Sequence, residues 1–101
     1  MPHDQCHQAI IETLARIPMG KICPYGIIAK LAGYPGKARY VGYVLKNLPS
    51  DTQIPWHRVI NAQGKSSFPM NSDRYKIQHS KLKAEGIDIT DSGRNLKAFF
   101  W

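Results

Sequence analysis

The stretch that decides the fold is YGIIAKLAGYPGKARYVGYVLKN, which spans residues 25–47. Apolar residues recur at helical spacing on both sides of residues 33–36, GYPG, where glycine and proline end one helix and begin the next. The pattern predicts two short helices, from Tyr25 to Ala32 and from Lys37 to Asn47, joined as a helix-turn-helix.

The second of these helices is predicted to have two different sides. Its buried stripe comprises Val41, Val44 and Leu45. The side chains left freer to face outward are Lys37, Arg39, Tyr43 and Lys46. Ala38 and Gly42 are small and four residues apart, so this strip of the helix can approach another surface closely. Packing against another helix is one use of such a strip, but the neighbouring Arg39 and the lack of nearby acids favour DNA.

Charge along the chain supports a nucleic-acid partner. The 101 residues carry 14 Lys and Arg against 7 Asp and Glu, a net charge of +7. No acidic residue occurs between Glu12 and Asp51, where basic residues are frequent. Such a surplus on a small chain favours a polyanion, although a solvated basic face without a partner is the alternative.

Helices are also predicted on either side of the helix-turn-helix. Asp4 is a suitable N-cap for the first, and Gly20 lies beyond its end. Its expected core residues are Ala9, Ile10, Leu14 and Ile17. Ser72 can cap the last helix, which is expected to run through Glu85. The expected core residues of that helix are Tyr75, Ile77 and Leu82.

The remaining segments predict minor elements within one domain, residues 1–101. Residues 21–23, KIC, and 58–60, RVI, are β-prone and could pair as a small sheet. Residues 64–72 lack periodicity and predict a loop or wing, and the aromatic tail, residues 96–101, should fold back onto the core. A hydrophobic content of 43% suffices for one core. The predicted class is therefore α/β, mostly helical, with a winged-helix-like helix-turn-helix and a small β-sheet.

The motif PWHRV at residues 55–59 is the most informative feature for function. Trp56 cannot be a nucleophile, because indole offers only a donor N–H and a broad apolar face. The motif resembles Pro-Cys-His-Arg-Val of the O6-alkylguanine-DNA alkyltransferases, with Trp56 in place of the alkyl-accepting cysteine. With that cysteine missing, the chain resembles the alkyltransferase-like proteins, which recognise the lesion and do not repair it.

The resemblance covers roughly residues 5 to 90 and rests on five motifs in the family's order. These are Pro24-Tyr25-Gly26, Ala38-Arg39-Tyr40-Val41-Gly42, Asn47, Pro55 to Val59, and Ala84-Glu85-Gly86. It implies that the second helix of the helix-turn-helix enters the minor groove, where Ala38 and Gly42 allow close approach. Arg39 is implied to enter the base stack and fill the space left by the extruded nucleotide. Lys37 and Lys46 complete the expected DNA-binding set.

Tyr25 matches the family residue that crowds the backbone phosphate and promotes rotation of the nucleotide. From the residues alone, Tyr25 is equally well a half-buried core aromatic.

The resemblance also implies a pocket for the flipped base. Trp56 would form part of its floor or wall, with Pro55, His57 and Tyr25 around it, whereas an ordinary core tryptophan is the alternative. Related proteins supply a further arginine from the loop after the motif. Here that loop carries FPM at residues 68–70, so the role passes to the nearest arginine, Arg74. A looser, apolar loop would tolerate bulky O6 groups.

A structural network is implied around the motif. His57 and Glu85 match two members of the relay that activates the cysteine in true transferases. Without that cysteine, we expect them to fix the motif through hydrogen bonds. Arg58 is expected to tie the turn together. Asn47 matches a hinge residue, although one extra residue intervenes before Pro55.

Together these features predict a non-enzymatic sensor that binds O6-alkylguanine in duplex DNA, flips the base and flags it for nucleotide excision repair. Two alternatives stay open. One is a methyltransferase that uses Cys23 or Cys6 as its acceptor. The other is a transcription regulator with an ordinary helix-turn-helix, which would bind a specific operator as a dimer.

Composition bounds the remaining expectations. Two irregularly placed cysteines indicate reduced thiols rather than a disulfide framework. His3, Cys6 and His7 lack a second ligand pair, so we expect no metal and no cofactor. No segment approaches the ~20 apolar residues that span a bilayer. We therefore expect a cytoplasmic monomer without membrane contact.

Overall fold

The computed structural model describes residues 2–49, 51–89 and 96–101. Its α-helices are α1 (Pro2–Ala15), α2 (Tyr25–Leu31), α3 (Ala38–Lys46) and α4 (Asp73–Ala84). Two-residue strands β1 (Cys23–Pro24) and β2 (Val59–Ile60) pair in parallel, and 3-10 turns cover Trp56–Arg58 and Leu96–Phe99. The predicted fold class is confirmed, since helices dominate and the sheet is small.

The first helix begins earlier than predicted. Because α1 starts at Pro2, Asp4 lies inside its first turn, and the predicted N-cap at Asp4 is wrong. Proline suits the first helical position, where its fixed φ is already helical and its missing N–H needs no partner. The predicted core residues Ile10, Leu14 and Ile17 are buried, whereas Ala9 is only partly so.

Helices α2 and α3 pack against each other as the predicted helix-turn-helix. In their connection, Gly33 and Gly36 have φ values of 90° and 87°, a left-handed backbone that glycine adopts without strain. The buried residues of α3 are those predicted: Val41, Val44 and Leu45. Since this stripe faces α1 and α2, the opposite side of α3 is left to solvent.

The small sheet holds the motif beside the helix-turn-helix. Its pairing overlaps the predicted segments, residues 21–23 and 58–60, and extends to Pro24. The C-terminal tail joins the same region, because the Ile22 N–H donates to the Phe99 carbonyl and the Trp101 N–H donates to the Ile22 carbonyl, both at 2.9 Å. The predicted return of the aromatic tail onto the core is confirmed.

Helix α4 starts and ends as predicted. The Ser72 hydroxyl accepts a hydrogen bond from the Tyr75 N–H at 3.2 Å and caps its N-terminus. Leu82 is buried as expected, but Ile77 is 44% exposed and the expectation that it lies in the core is wrong. Gln78 is buried instead, because positions three and seven beyond Tyr75 share one side of the helix and Ile77 does not.

Candidate nucleic-acid interface and base pocket

The outward side of α3 carries the predicted DNA-binding residues. Its exposed side chains are Lys37, Arg39, Tyr43 and Lys46. Ala38 and Gly42 are partly buried between them. Apart from its chain neighbours and the backbone of its own helix, a Cβ added at Gly42 would meet no described atom within 4 Å, so the helix surface here is open. Such a surface can bring cations close to a polyanion.

Tyr25 lies where β1 ends and α2 begins, so the sheet fixes the position of its backbone. The side chain is half-buried and hydrogen-bonds with the side chain of Ser67, in the loop that precedes α4. Burial raises the pKa of Tyr25, and the bond to Ser67 opposes only part of that rise. The phenol therefore keeps its proton at neutral pH and joins the helix-turn-helix to the loop.

Trp56 opens the 3-10 turn that follows Pro55, and it is only 7% exposed. Two rings meet it edge-on: Phe68 at a centroid distance of 5.6 Å and His57 at 6.3 Å. The indole is thus a packed wall beside the motif turn. The loop expected to be loose is in fact packed at Phe68, whereas Met70 beyond it is 73% exposed.

Arg74 is the side chain that links this wall to α3. Its guanidinium carbon lies 5.5 Å from the ring centre of Trp56 and 6.0 Å from that of Phe68, within the range of cation–π contacts. The same group donates hydrogen bonds to the Leu45 carbonyl at 3.1 Å and the Leu48 carbonyl at 3.3 Å. Arg74, the predicted lesion-contacting arginine, therefore already holds the C-terminal end of α3.

Asn47, the predicted hinge, caps that same helix end. Its side-chain amide donates to the Tyr43 carbonyl at 2.8 Å, and its backbone N–H is directed at the last turn of α3. These bonds run back into the helix, whereas Arg74 and the core contacts of Leu48 and Ile54 join the end of α3 to the motif.

Glu85 is the centre of the network around the motif. Its carboxylate accepts from His57 Nε2 at 2.7 Å, from Arg58 Nε and Nη2 at 3.0 Å each, and from the Gly20 N–H at 3.1 Å. Arg58 also donates to the Ile17 carbonyl at 2.7 Å. The network thus ties the motif to the end of α4 and to the segment after α1.

Protonation in the network follows from its contacts. Burial opposes the charge of Glu85, but the hydrogen bonds from Arg58, His57 and Gly20 outweigh it and lower its pKa to about 2. Burial lowers the pKa of His57, although the bond to Glu85 opposes this. The imidazole is therefore neutral at neutral pH. Because Glu85 only accepts, Nε2 carries the hydrogen.

The other imidazole nitrogen is left with a lone pair. Nδ1 of His57 is buried without a hydrogen-bond partner among the described residues. The network can therefore orient the His57 imidazole as a proton acceptor beside Trp56, whose indole cannot act as a nucleophile.

Gln78 is a positioning residue that the sequence analysis missed. Its side-chain amide donates to the carbonyls of His57 at 3.2 Å and Val59 at 2.8 Å, so α4 holds the motif backbone directly. The signal was a polar residue at a core position, between Tyr75 and Leu82 on one side of the helix.

Both cysteines lie in the hydrophobic core. Cys23 is completely buried, and burial raises the pKa of its thiol to about 11; Cys6 is also buried. Nucleophilic attack needs a thiolate, so this environment argues against Cys23 as an alkyl acceptor. Within the described ranges, no group of three His, Cys, Asp or Glu could hold a metal ion, and no helix is long and apolar enough to cross a membrane.

Comparison with known proteins establishes the family. Residues 5–87 match the model described as 6-O-methylguanine DNA methyltransferase, DNA binding domain. The chain is 47% identical over 100 residues to a DNA base-flipping protein of Vibrio parahaemolyticus, covering 97% of each. It is 37% identical over 106 residues to alkyltransferase-like protein 1 of Schizosaccharomyces pombe, covering 100% of this chain and 98% of that protein. The chain therefore belongs to the 6-O-methylguanine DNA methyltransferase family, as the resemblance predicted.

Solved structures agree with this assignment. The crystal structure of S. pombe Atl1 in complex with damaged DNA containing O6-carboxymethylguanine matches with a TM-score of 0.86 and 35% identity, covering 97% of this chain and 95% of that one. The Mycobacterium tuberculosis OGT structure in complex with DNA matches with a TM-score of 0.70 and 34% identity, covering 79% and 48%. This chain thus matches an alkyltransferase-like protein over nearly its whole length, and that group is the class without alkyl-transfer activity.

Proposed function

We propose that this protein binds duplex DNA carrying O6-alkylguanine, flips the damaged base out and holds it beside Trp56 without removing the alkyl group. One observation carries the proposal. Trp56 stands beside a network in which Glu85 still orients His57 at 2.7 Å and is itself held by Arg58 at 3.0 Å. Because Trp56 offers no thiol that this network could activate, the arrangement supports binding of the damaged base rather than catalysis.

The side of α3 around Arg39 is suited to the DNA contact. Arg39 and Lys46 supply cations, and Ala38 and Gly42 leave the helix surface low enough to enter a minor groove. Arg39 can stack in the space that the flipped nucleotide vacates, which offsets part of the cost of unstacking. Tyr25, at the start of the preceding helix, can press on the phosphate of the rotating nucleotide.

The groups around Trp56 suit a flat aromatic ligand. Trp56 offers an indole, Pro55 precedes it, His57 meets it edge-on, and the Arg74 guanidinium lies over the same aromatic ring. Stacking and cation–π contact with a purine use such groups and need no bond to be broken. The S. pombe relative was crystallised with DNA containing O6-carboxymethylguanine, which supports this class of ligand.

A binding assay tests the proposal. Fluorescence anisotropy is measured with two labelled duplexes that differ only in one O6-methylguanine or guanine. We expect the damaged duplex to bind at least about tenfold more tightly, a difference of about 1.4 kcal/mol. Equal affinity for both duplexes would refute lesion recognition. Tight binding confined to one undamaged sequence would support a transcription regulator instead.

A protein that does not remove the alkyl group can contribute to repair by marking the lesion for other proteins. We propose that it does so as a monomer and that nucleotide excision repair is the pathway it serves. In cells without excision repair, deleting the protein should not further raise sensitivity to agents that form bulky O6 adducts. An additive effect would contradict this assignment.

A further inference from the structure

Two tyrosine rings lie together on α3, where Tyr40 is partly buried against the core and Tyr43 is exposed. The centroids of Tyr40 and Tyr43 are 5.7 Å apart, and the ring planes are 17° from parallel. Tyr43 nevertheless remains 61% exposed, outside the buried stripe of the helix. A pair at this spacing adds little to helix stability. Folding alone therefore gives no strong reason for an aromatic ring here.

Helical spacing places Tyr43 directly beside the proposed base-stack residue. Arg39, Tyr43 and Lys46 are separated by four and three residues, so they form one row of cation, ring and cation. The row borders a surface hollow lined by Gly36, Lys37, Ala38, Arg39, Tyr40 and Tyr43. Protein surfaces that bind unpaired nucleotides combine aromatic rings with cations, because the rings stack on bases and the cations contact phosphates.

We propose that Tyr43, supported by Tyr40, is the stacking surface for the base that loses its partner when the damaged nucleotide is flipped. This inference rests on the proposed function. Flipping leaves the opposite base unpaired next to Arg39, and the next side chain along the row is Tyr43. Every base has a flat face, so stacking would serve any base opposite the lesion.

The test uses two duplexes that differ in the strand opposite the lesion. One has O6-methylguanine opposite cytosine, and the other has it opposite an abasic site. Tyr43→Ala should weaken binding to the first by about fivefold or more, the loss expected for one stacking contact. Binding to the abasic duplex should change by less than about twofold, since no base remains to stack. Tyr43→Phe keeps the ring and should bind both duplexes like the unmodified protein.

Lys46→Ala is the matched control on the same row, because loss of a phosphate contact should weaken both duplexes equally. Tyr43→Leu keeps apolar bulk without the ring, and it replaces Tyr43→Ala if that variant folds poorly by circular dichroism. Equal losses on both duplexes, or no loss on either, would overturn the stacking role. If the unmodified protein showed no preference for O6-methylguanine over guanine, the proposed function would fail instead.

Discussion

The guanidinium of Arg74 lies over the ring of Trp56, 5.5 Å from its centre, while it donates hydrogen bonds to the end of α3. One side chain therefore touches both Trp56, the wall of the proposed pocket, and the helix that carries Arg39.

Arg74→Ala should lower the free energy of unfolding by about 1.5–3 kcal/mol, the range for hydrogen bonds from a charged donor. Arg74→Lys should recover only part of the loss, because an ammonium cannot present a planar fork to the Leu45 and Leu48 carbonyls while it stacks on Trp56. Urea denaturation measures both. Lys76→Ala, an exposed control on the same helix, should stay within about 0.5 kcal/mol. A stability unchanged by Arg74→Ala would contradict the bridging role.

Acid should weaken the fold through Glu85. Its pKa is about 2 in the folded chain against an ordinary value of 4.5, because hydrogen bonds from Arg58, His57 and Gly20 outweigh the opposing effect of burial. A lowered pKa means that this stabilisation is complete above pH 4.5 and is lost as the pH falls toward 2. Glu85→Gln should cost about 3 kcal/mol at neutral pH and flatten the stability profile over that acid range.

Chemical denaturation at a series of pH values measures this profile. The exposed Glu12, which accepts a hydrogen bond from Gln8 one turn away, supplies the control variant Glu12→Gln. If Glu85→Gln and the unmodified protein lost stability in parallel below pH 4.5, the network would not be the cause.

Local sequence patterns predicted the helices well. They could not predict hydrogen bonds between residues far apart in the sequence. The stripe of Val41, Val44 and Leu45 follows from one helical period and is buried as expected. The bond from the Gly20 N–H to Glu85 joins residues 65 positions apart, and no periodicity reports on such a pair.

The site residues also fall into those that a local motif identifies and those that only the packing of helices reveals. Trp56, His57 and Arg58 are neighbours in the chain, so the motif identified them together. That Arg74 would hold the Leu45 carbonyl depends on how α4 packs against the end of α3, which spacing does not give. The prediction for Asp4 is wrong because a residue suited to capping does not exclude a helix that starts two positions earlier, at Pro2.

Arg39 and Lys46 should affect binding differently. Arg39→Ala should weaken binding to O6-methylguanine duplex by about 1–3 kcal/mol, with a smaller loss on undamaged DNA, since its stacking contact forms only when a base leaves the helix. Lys46→Ala should weaken both duplexes alike and reduce the salt dependence by about one ion. Anisotropy titrations over a range of salt concentrations separate the two effects. Equal losses on both duplexes for Arg39→Ala would refute its role in the base stack.

Emission from Trp56 should report on occupation of the pocket. In a Trp101→Phe variant, Trp56 is the one remaining tryptophan, and its indole already touches Phe68 and Arg74. Arrival of a flipped guanine should change its fluorescence, with saturation that follows binding. Undamaged duplex should give a much smaller change. Identical responses to both duplexes, despite a measured preference for the lesion, would mean that Trp56 is remote from the base.

The most direct test of the central claim follows the methyl group itself. The protein is saturated with duplex containing O6-methylguanine, and mass spectrometry is then applied to the separated protein and DNA. The structure offers Trp56 where a thiolate would be needed and buries Cys23 with a thiol pKa of about 11. We therefore expect a stable complex in which the protein mass is unchanged and the DNA still carries the methyl group. A methyl group on any residue of the protein, matched by its loss from the DNA, would contradict the account.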